Sequence, residues 1–268
     1  MDKIFDCITF FSENFITNLR FEILKNSVDY FVVCESIYDH KGKKKELNFH
    51  LNNIKFKNKI IYIVHDTPFS KNNDVWQNQA EQRETIFKGI DKANNEDLIM
   101  FSDPDEIPNP KSLENINLKK KFGIFLQKMY CYKFNLFNSH ESPWEGTRIC
   151  RKKNLKSIDY MRQKVKKKNL LQPFWKFYKE KDIEVIEDGG WHFNSLLSPE
   201  EISVKLKTFA HTEFADSQYS DIHVIKKNIK EQRDLFKRNI TYKKTKLDES
   251  FPSYILQNQN SLKDWILI

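Results

Sequence analysis

The stretch Phe101-Ser102-Asp103-Pro104-Asp105-Glu106-Ile107-Pro108 decides the architecture that we predict for this chain. It closes an apolar run, residues 97–101, that is typical of a buried strand. In extended backbone, residues two apart point to the same side, so Asp103 and Asp105 can aim at one point. Pro104 fixes its own φ and biases Asp103 toward extended geometry. Two converging carboxylates at a strand end suit a hard divalent cation with open positions for phosphate oxygens. The alternative interpretation is a polar turn closed by two prolines.

Composition indicates one domain with a sizeable core. The chain has 268 residues, of which 39% are hydrophobic and 14% aromatic, with 22 phenylalanines. It contains no apolar run of 18 residues and no signal peptide pattern at its start, so we expect neither a transmembrane helix nor a leader. Four scattered cysteines form no Cys-x-x-Cys motif. This favours reduced thiols in a cytoplasmic protein and argues against a zinc site.

Basic residues exceed acidic ones by a net charge of +8, and much of the excess lies in lysine runs at residues 43–45, 119–121 and 164–168. Such runs can contact nucleic acid, anionic lipid or an anionic glycan, but they are more often solvated faces. They keep open an alternative function, a nucleic-acid-binding protein or metal-dependent nuclease. Lysines that surround the acidic cluster would favour the nucleic-acid function, whereas lysines on scattered faces would argue against it.

The first 110 residues alternate strand and helix patterns. Apolar, β-prone runs predict strands at residues 4–11, 28–35, 60–64 and 97–101, while helical spacing predicts helices from Ser12 to about 24 and from Trp76 to about 93. This alternation predicts a mainly parallel sheet with helices on both faces. Ligands of such sheets bind at the carboxyl ends of the strands, where we expect Glu35, Asp103 and Asp105.

The second half has a different pattern. Residues 123–137 alternate aromatic and polar positions, which predicts longer, antiparallel strands. We interpret residues 142–148 as a loop, residues 151–168 as a poorly periodic and mobile stretch, and Ser198 as the cap of a helix. A last helix is predicted over about 221–236, and the tail at 251–255 is expected to pack back on the body.

Several pieces occur together in an order that resembles one family. They are residues 6–13, 28–35, 42–45, Trp76 with Gln82-Arg83, the acidic stretch, Gly189-Gly190-Trp191-His192 and residues 205–213. This ordered set resembles glycosyltransferase family 17, the family of β-1,4-mannosyl-glycoprotein 4-β-N-acetylglucosaminyltransferase, and most of all its short microbial and viral members. The resemblance implies a single GT-A domain over residues 1–268, with a nucleotide-sugar-binding half at 1–110 and an acceptor-side half at 111–268 that ends in helices.

The resemblance also implies an inverting transfer that uses Mn²⁺ or Mg²⁺ and a nucleotide sugar, UDP-GlcNAc by family. Asp103-Pro104-Asp105 fits the Asp-x-Asp motif of GT-A enzymes, so Asp105 would ligate the metal and Asp103 would lie near the metal or ribose. Some GT-A enzymes complete the site with a late histidine, and His192 is the candidate, with His211 as competitor. A core histidine is the alternative for His192, and a helix C-terminal histidine for His211.

On the donor side, Glu35, Lys45 and Arg83 are the candidate contacts. Arg83 and Lys45 would lie near donor phosphates or base. The alternatives are a structural ion pair for Arg83 and a solvated loop charge for Lys45.

Inversion requires a base that removes the proton of the acceptor hydroxyl. Glu106, Glu145 and Asp188 are the candidates, all in predicted loops, and Asp188 is favoured because Gly189 and Gly190 let the backbone approach a sugar. Each could instead be a solvent-facing acid. Trp144 and Trp191 could stack on a sugar or lie in the core. The expected acceptor is a glycan, such as a lipooligosaccharide, a capsule or a viral glycan. The expected location is the cytoplasm or, within it, the periphery of a membrane.

Overall fold

The computed structural model describes residues 2–208 and 216–267. The strands, numbered along the chain, are β1 (Ile4–Phe10), β2 (Tyr30–Ser36), β3 (Ile60–His65), β4 (Leu98–Ser102), β5 (Glu106–Pro108), β6 (Phe122–Cys131), β7 (Leu136–Phe137), β8 (Trp144–Arg151), β9 (Ile183–Ile186), β10 (Gly190–Asn194) and β11 (Lys243–Lys244). The α-helices are α1 (Asn14–Leu24), α2 (Val75–Glu84), α3 (Pro110–Leu113), α4 (Ile158–Lys164), α5 (Pro199–Thr208), α6 (Ser217–Ser220), α7 (Ile222–Lys230) and α8 (Ser253–Gln257). Within these ranges, no helix combines the length and apolarity that crossing a bilayer requires.

Four strands of the first half form the parallel part of the sheet, in the order β3-β2-β1-β4. Both of its faces are covered. Side chains of β1 alternate between two cores, since Ile8 packs with α1 residues such as Leu19, whereas Cys7 packs with Ile86 and Ile90 on the opposite side. Burial on both faces explains why these strands are almost continuously apolar. The predicted parallel sheet flanked by helices is confirmed.

The sheet becomes antiparallel beyond β4. Strand β8 runs antiparallel to β4, and β6 runs antiparallel to β8. The long strand β6 also pairs with β9 and β10 in parallel, and β10 pairs with β5 in antiparallel orientation. The acidic turn between β4 and β5 therefore lies where the parallel half meets the antiparallel half. The predicted α/β class is confirmed, while the division into donor and acceptor halves stays a prediction.

The helix predicted from Trp76 is shorter and its buried face is polar. Asp74 caps α2 through the backbone N–H groups of Trp76 and Gln77, and the chain continues from Thr85 to Gly89 as a 3₁₀ helix. The helical spacing predicts one apolar face that contains Trp76, Ala80, Phe87 and Ile90, but Trp76 is 46% and Phe87 37% exposed, so this prediction is wrong. The buried residues of α2 are Asn78, Gln79, Gln82 and Arg83. This side of the helix faces other polar groups instead of an apolar core.

Three further expectations differ from the structure. The predicted loop at 142–148 contains the start of β8, and the last helix ends at Lys230 instead of about 236. The stretch predicted to be mobile, residues 151–168, contains α4, which Ser157 caps. Its apolar residues Ile158 and Met161 are fully buried, which holds α4 against the sheet. The tail does pack back, since Phe251 and Ile255 lie in the main core.

Candidate active site

A cavity of about 400 Å³ opens at the carboxyl ends of the parallel strands. Phe10 and Phe11 enter it from the end of β1, Asp103 and Asp105 from the end of β4, and Lys205 from α5. Ligand sites of open α/β sheets occupy this edge, and cavities of 300–1,000 Å³ are typical of small-molecule sites. The acidic cluster therefore lies at the edge where the sequence predicted it.

The acidic residues divide between two sides of a tight turn. Glu106 N–H donates to the Asp103 carbonyl at 3.0 Å, and the Glu106 carboxylate in return accepts from the Asp103 N–H at 3.2 Å. The side chain of Asp103 is 37% exposed and that of Asp105 13%, whereas that of Glu106 is 1% exposed. Asp103 and Asp105 thus line the cavity, while Glu106, predicted in a loop, begins strand β5 and lies beneath them.

Arg20 of α1 holds this turn from below. Its guanidinium pairs with both oxygens of Asp6 in β1, at 2.6 and 2.7 Å, and donates to the Ser102 hydroxyl at 2.6 Å. A further N–H donates to the Glu106 carbonyl at 2.7 Å. Arg20 and Asp6 are both buried. The paired charges therefore tie α1, β1 and the end of β4 together directly under the acidic turn.

Arg162 of α4 holds the same turn from the side. Its guanidinium binds both carboxylate oxygens of Glu106 at 2.8 Å each and one oxygen of Asp103 at 2.8 Å. Burial alone would raise the pKa of Glu106, but Arg162 outweighs it and lowers the pKa to about 2. Glu106 is therefore an ionised structural carboxylate at neutral pH and a weak proton acceptor.

Asp105 faces an imidazole and an ammonium group, those of His192 and Lys205. His192 lies opposite Glu106 in the β5–β10 pair, and its Nε2 is 3.6 Å from Asp105 Oδ1. Burial would raise the pKa of Asp105, but His192 and then Lys205 lower it overall. Burial would lower the pKa of His192, but Asp105 raises it. Nδ1 of His192 is buried and makes no hydrogen bond to the protein. Asp105 and His192 thus form a buried acid–imidazole pair on the cavity wall.

The donor set for a metal is small. In the ranges 2–208 and 216–267, no three His, Cys, Asp or Glu side chains converge closely enough to hold a metal ion. The Asp103 carboxylate is partly occupied by Arg162. Asp105 and His192, 3.6 Å apart, therefore remain as the two neighbouring side chains at the turn that are of metal-binding type. His211, the competing candidate, lies outside the described residues.

The three donor-side candidates are paired within the protein. The Glu35 carboxylate is fully buried and binds the Lys45 ammonium at 2.7 Å, the backbone N–H groups of residues 48 and 49, and the Tyr62 hydroxyl. Lys45 also lies over the ring of Phe11, 5.2 Å from its centroid. Glu35 therefore fixes the loop after β2, and Lys45 lies beside a residue that lines the cavity.

Arg83 pairs with Asp159 at 2.8 Å and with Gln79 at 2.8 Å. It is buried and does not line the cavity, whereas Gln79 and Gln82 do. Arg83 thus links α2 to α4 and supports the wall from behind.

The three candidate bases have different surroundings. Asp188, the favoured one, is in the turn before β10 and lines a second, larger cavity with Asn109 and Trp191, so it does not border the cavity of Asp105. Glu145 lies on β8, partly exposed, beside Arg148 and the backbone N–H of Lys167. Glu106 is the buried partner of Arg162.

The two tryptophans differ. The Trp191 indole is buried and donates to the Ser250 carbonyl, as expected for a core residue. Trp144 lines the cavity, its indole N–H donates to Glu106 at 2.7 Å, and its ring lies 5.0 Å from that of His192. Trp144 therefore offers an aromatic edge next to the acidic turn.

A family model described as Glycosyltransferase family 17 matches residues 1–247. The chain belongs to glycosyltransferase family 17. This family 17 protein is a glycosyltransferase, and its mixed α/β sheet agrees with the GT-A-like fold that the resemblance implied. A search among curated proteins found no significant match.

Solved structures resemble this family 17 protein only distantly. Glucosyl-3-phosphoglycerate synthase from Mycobacterium tuberculosis, in complex with Mn²⁺, UDP-glucose and phosphoglyceric acid, is 11% identical, with a TM-score of 0.36 over 95% of this chain and 91% of that one. A glycosyltransferase involved in glycosylation of the major capsid of PBCV-1 is 11% identical, with a TM-score of 0.32 over 69% and 81%. These likenesses are too distant to transfer the role of any residue.

Proposed function

We propose that this glycosyltransferase is an inverting, divalent-metal-dependent enzyme that moves GlcNAc from UDP-GlcNAc to a hydroxyl of a glycan acceptor. The observation that carries the proposal is the 3.6 Å approach of Asp105 Oδ1 and His192 Nε2 on the wall of the cavity at the strand ends. A carboxylate suits Mn²⁺ and Mg²⁺, and a neutral imidazole is a common metal ligand. The buried Nδ1 of His192 makes no hydrogen bond to the protein, so this nitrogen is not committed to another group.

The residues present fit a cation that the substrate helps to hold. Asp105 and His192 supply two ligands, which leaves several positions for donor phosphates and water. A bound ion would neutralise the charge on the departing diphosphate. Lys205 adds a fixed positive charge, since Asp105, Glu13 and Asp103 raise its pKa against the effect of burial. Asp103 would hold the donor ribose or the same ion through the part of its carboxylate that Arg162 does not bind.

Lys45 is proposed to contact the donor, because it lies against Phe11 at the cavity wall. Glu35 and Arg83 would act indirectly, Glu35 by holding Lys45 and Arg83 by holding Gln79, which lines the cavity. For the base, Glu145 is preferred over Asp188 and Glu106. Like Asp188, it does not line the cavity itself, but its neighbour Trp144 does. Its side chain is 31% exposed, and it is not committed to a bidentate ion pair.

The alternative function, a nucleic-acid-binding protein or nuclease, loses its support. None of the three lysine runs lines the cavity, whose basic side chains among the described residues are His40, His192, Lys205 and Arg238. Together with the family assignment, this favours sugar transfer.

Titration calorimetry with UDP, UDP-GlcNAc and GDP, each with and without Mn²⁺, tests the proposal. UDP and UDP-GlcNAc should bind only with the metal, and Asp105→Asn and His192→Gln should each weaken that binding on the order of tenfold or more, while circular dichroism shows that both variants are folded. Asp66→Asn removes an exposed acid outside the cavity and serves as the matched control. Unchanged affinity in Asp105→Asn would disprove the metal assignment, and metal-dependent binding of GDP alone would disprove the donor assignment.

A further inference from the structure

The segment between α4 and β9 carries an unusual number of exposed apolar side chains. Twelve large hydrophobic side chains are exposed in the described parts of the chain, and six of these lie within nine consecutive residues. The six, with exposed fractions from 42 to 87%, are Leu170, Leu171, Phe174, Trp175, Phe177 and Tyr178. Scattered single apolar residues are normal on a surface, whereas such a cluster marks an interaction site.

Hydrogen bonds hold this segment in a defined shape. Residues 167–171 form a 3₁₀ helix, and two turns follow, in which Lys176 N–H donates to the Pro173 carbonyl at 3.1 Å and Lys179 N–H to the Lys176 carbonyl at 3.0 Å. Asn169 is buried and donates to the Lys164 carbonyl at 2.6 Å. The backbone therefore turns back on itself while its apolar side chains point outward.

Positive charge surrounds the apolar cluster. Residues 164–181 contain seven lysines and a single acidic residue, Glu180, which accepts a hydrogen bond from Tyr160 at 3.1 Å. Lys167 and Lys168 are exposed at one end of the segment, and Lys176 and Lys179 alternate with the aromatic residues. Aromatic and aliphatic side chains beside lysines are the composition of surfaces that lie in the boundary between lipid headgroups and acyl chains.

We propose that residues 164–181 dock this protein on an anionic phospholipid surface. The aromatic and leucine side chains would enter the headgroup boundary, and the lysines would pair with lipid phosphates. Proteins bind single-stranded nucleic acid in a groove. The side chains of this segment protrude instead, and they line neither of the two cavities described above. The docking surface does not depend on the metal or the donor.

The docking surface is connected directly to the active site. Arg162, which holds Asp103 and Glu106, lies on the helix that leads into the segment. The Arg148 guanidinium donates to the Val165 carbonyl at 3.4 Å, and the Lys167 N–H donates to Glu145 at 3.3 Å. A membrane at this surface would therefore lie on the same side of the molecule as β8 and α4.

Vesicle sedimentation tests the proposal, with vesicles of phosphatidylcholine alone and with 30% phosphatidylglycerol. The protein should bind the anionic vesicles and release them in high salt. The variant Phe174→Ser/Trp175→Ser/Phe177→Ser should lower the partition coefficient on the order of tenfold or more. Lys167→Gln/Lys168→Gln should lower it roughly 25-fold, since each lysine near an anionic surface contributes a factor of about 5.

Two controls match these changes elsewhere on the surface. Ile54→Ser/Val204→Ser removes exposed apolar side chains, and Lys119→Gln/Lys120→Gln removes exposed charges. Both should bind vesicles as the native chain does, and all variants should keep the native melting temperature.

Absence of binding to anionic vesicles would overturn the proposal, as would a triple aromatic variant that binds like the native chain. Binding of a DNA or RNA oligonucleotide, lost in the aromatic variant while vesicles are ignored, would assign the surface to nucleic acid. Self-association in sedimentation velocity that the aromatic variant abolishes would assign it to a second copy of the chain.

Discussion

Replacing Arg20 by methionine should destabilise the fold strongly, although Arg20 is fully buried and lines neither cavity. The substitution leaves the Asp6 carboxylate buried without its guanidinium partner, and removes the donors to Ser102 and to the Glu106 carbonyl. Breaking a buried ion pair by removing one partner costs about 3–5 kcal/mol. For a chain of this length, that loss corresponds to a fall of roughly 5–9 °C in melting temperature.

Urea unfolding followed by circular dichroism measures the loss. The double variant Arg20→Met/Asp6→Leu should recover part of it, because two apolar side chains replace the buried pair, while Ser102 and the Glu106 carbonyl still lack their donor. Lys153→Met, which breaks an exposed pair with Glu96, is the control and should cost less than about 1 kcal/mol. A loss in Arg20→Met as small as that of the control, or a double variant no more stable than the single one, would refute this reasoning.

Three other changes test separate parts of the structure. Gly190→Ala should destabilise the chain by several kcal/mol in the same unfolding assay. Gly190 has a φ of +125°, and a Cβ there would lie 2.2 Å from the carbonyl oxygen of Ile107. A stable variant would show that the β5–β10 pair is looser than described. Asp234→Asn should lower the free energy of unfolding at pH 7, since Arg238 lowers the pKa of Asp234 against the effect of burial. The difference in free energy of unfolding from the native chain should shrink as the pH falls below 3.8, the ordinary pKa of an aspartate. A difference that stays constant with pH would contradict the pairing. Burial raises the pKa of all four cysteine thiols, three of them to about 12. An alkylating reagent at pH 8 should therefore label none of them in the native chain and all four in denaturant. Rapid labelling of the native chain would show that the core opens.

The parallel half of the fold could be predicted because its signals are local. Apolar runs with helical patterns between them specify the strands and their parallel orientation, and the strand-end position of Asp103 and Asp105 follows from that orientation. The boundaries were less accurate. Ser142, Pro143 and Gly146 are residues typical of turns, yet β8 begins among them because pairing with β6 overrides that preference.

The supports of the site could not be predicted, because they come from distant segments. Arg20 meets residues 82 to 86 positions later, and Arg162 meets residues 56 and 59 positions earlier. Neither arginine stands in a distinctive pattern, since Arg20 is one polar residue in an amphipathic helix and Arg162 lies in a lysine-rich stretch. The buried glutamines of α2 likewise had no signal in a scheme that assigns polar residues to the surface.

The pairing of Arg162 with the acidic turn has a consequence for the protein in the absence of diffusible ions. Three carboxylates within four residues repel one another, and a protein that relied on a dissolved cation to offset this would loosen in a chelator. Here the compensating charge is covalently part of the chain and cannot be dialysed away. The turn is therefore expected to keep its conformation in EDTA, at any metal concentration.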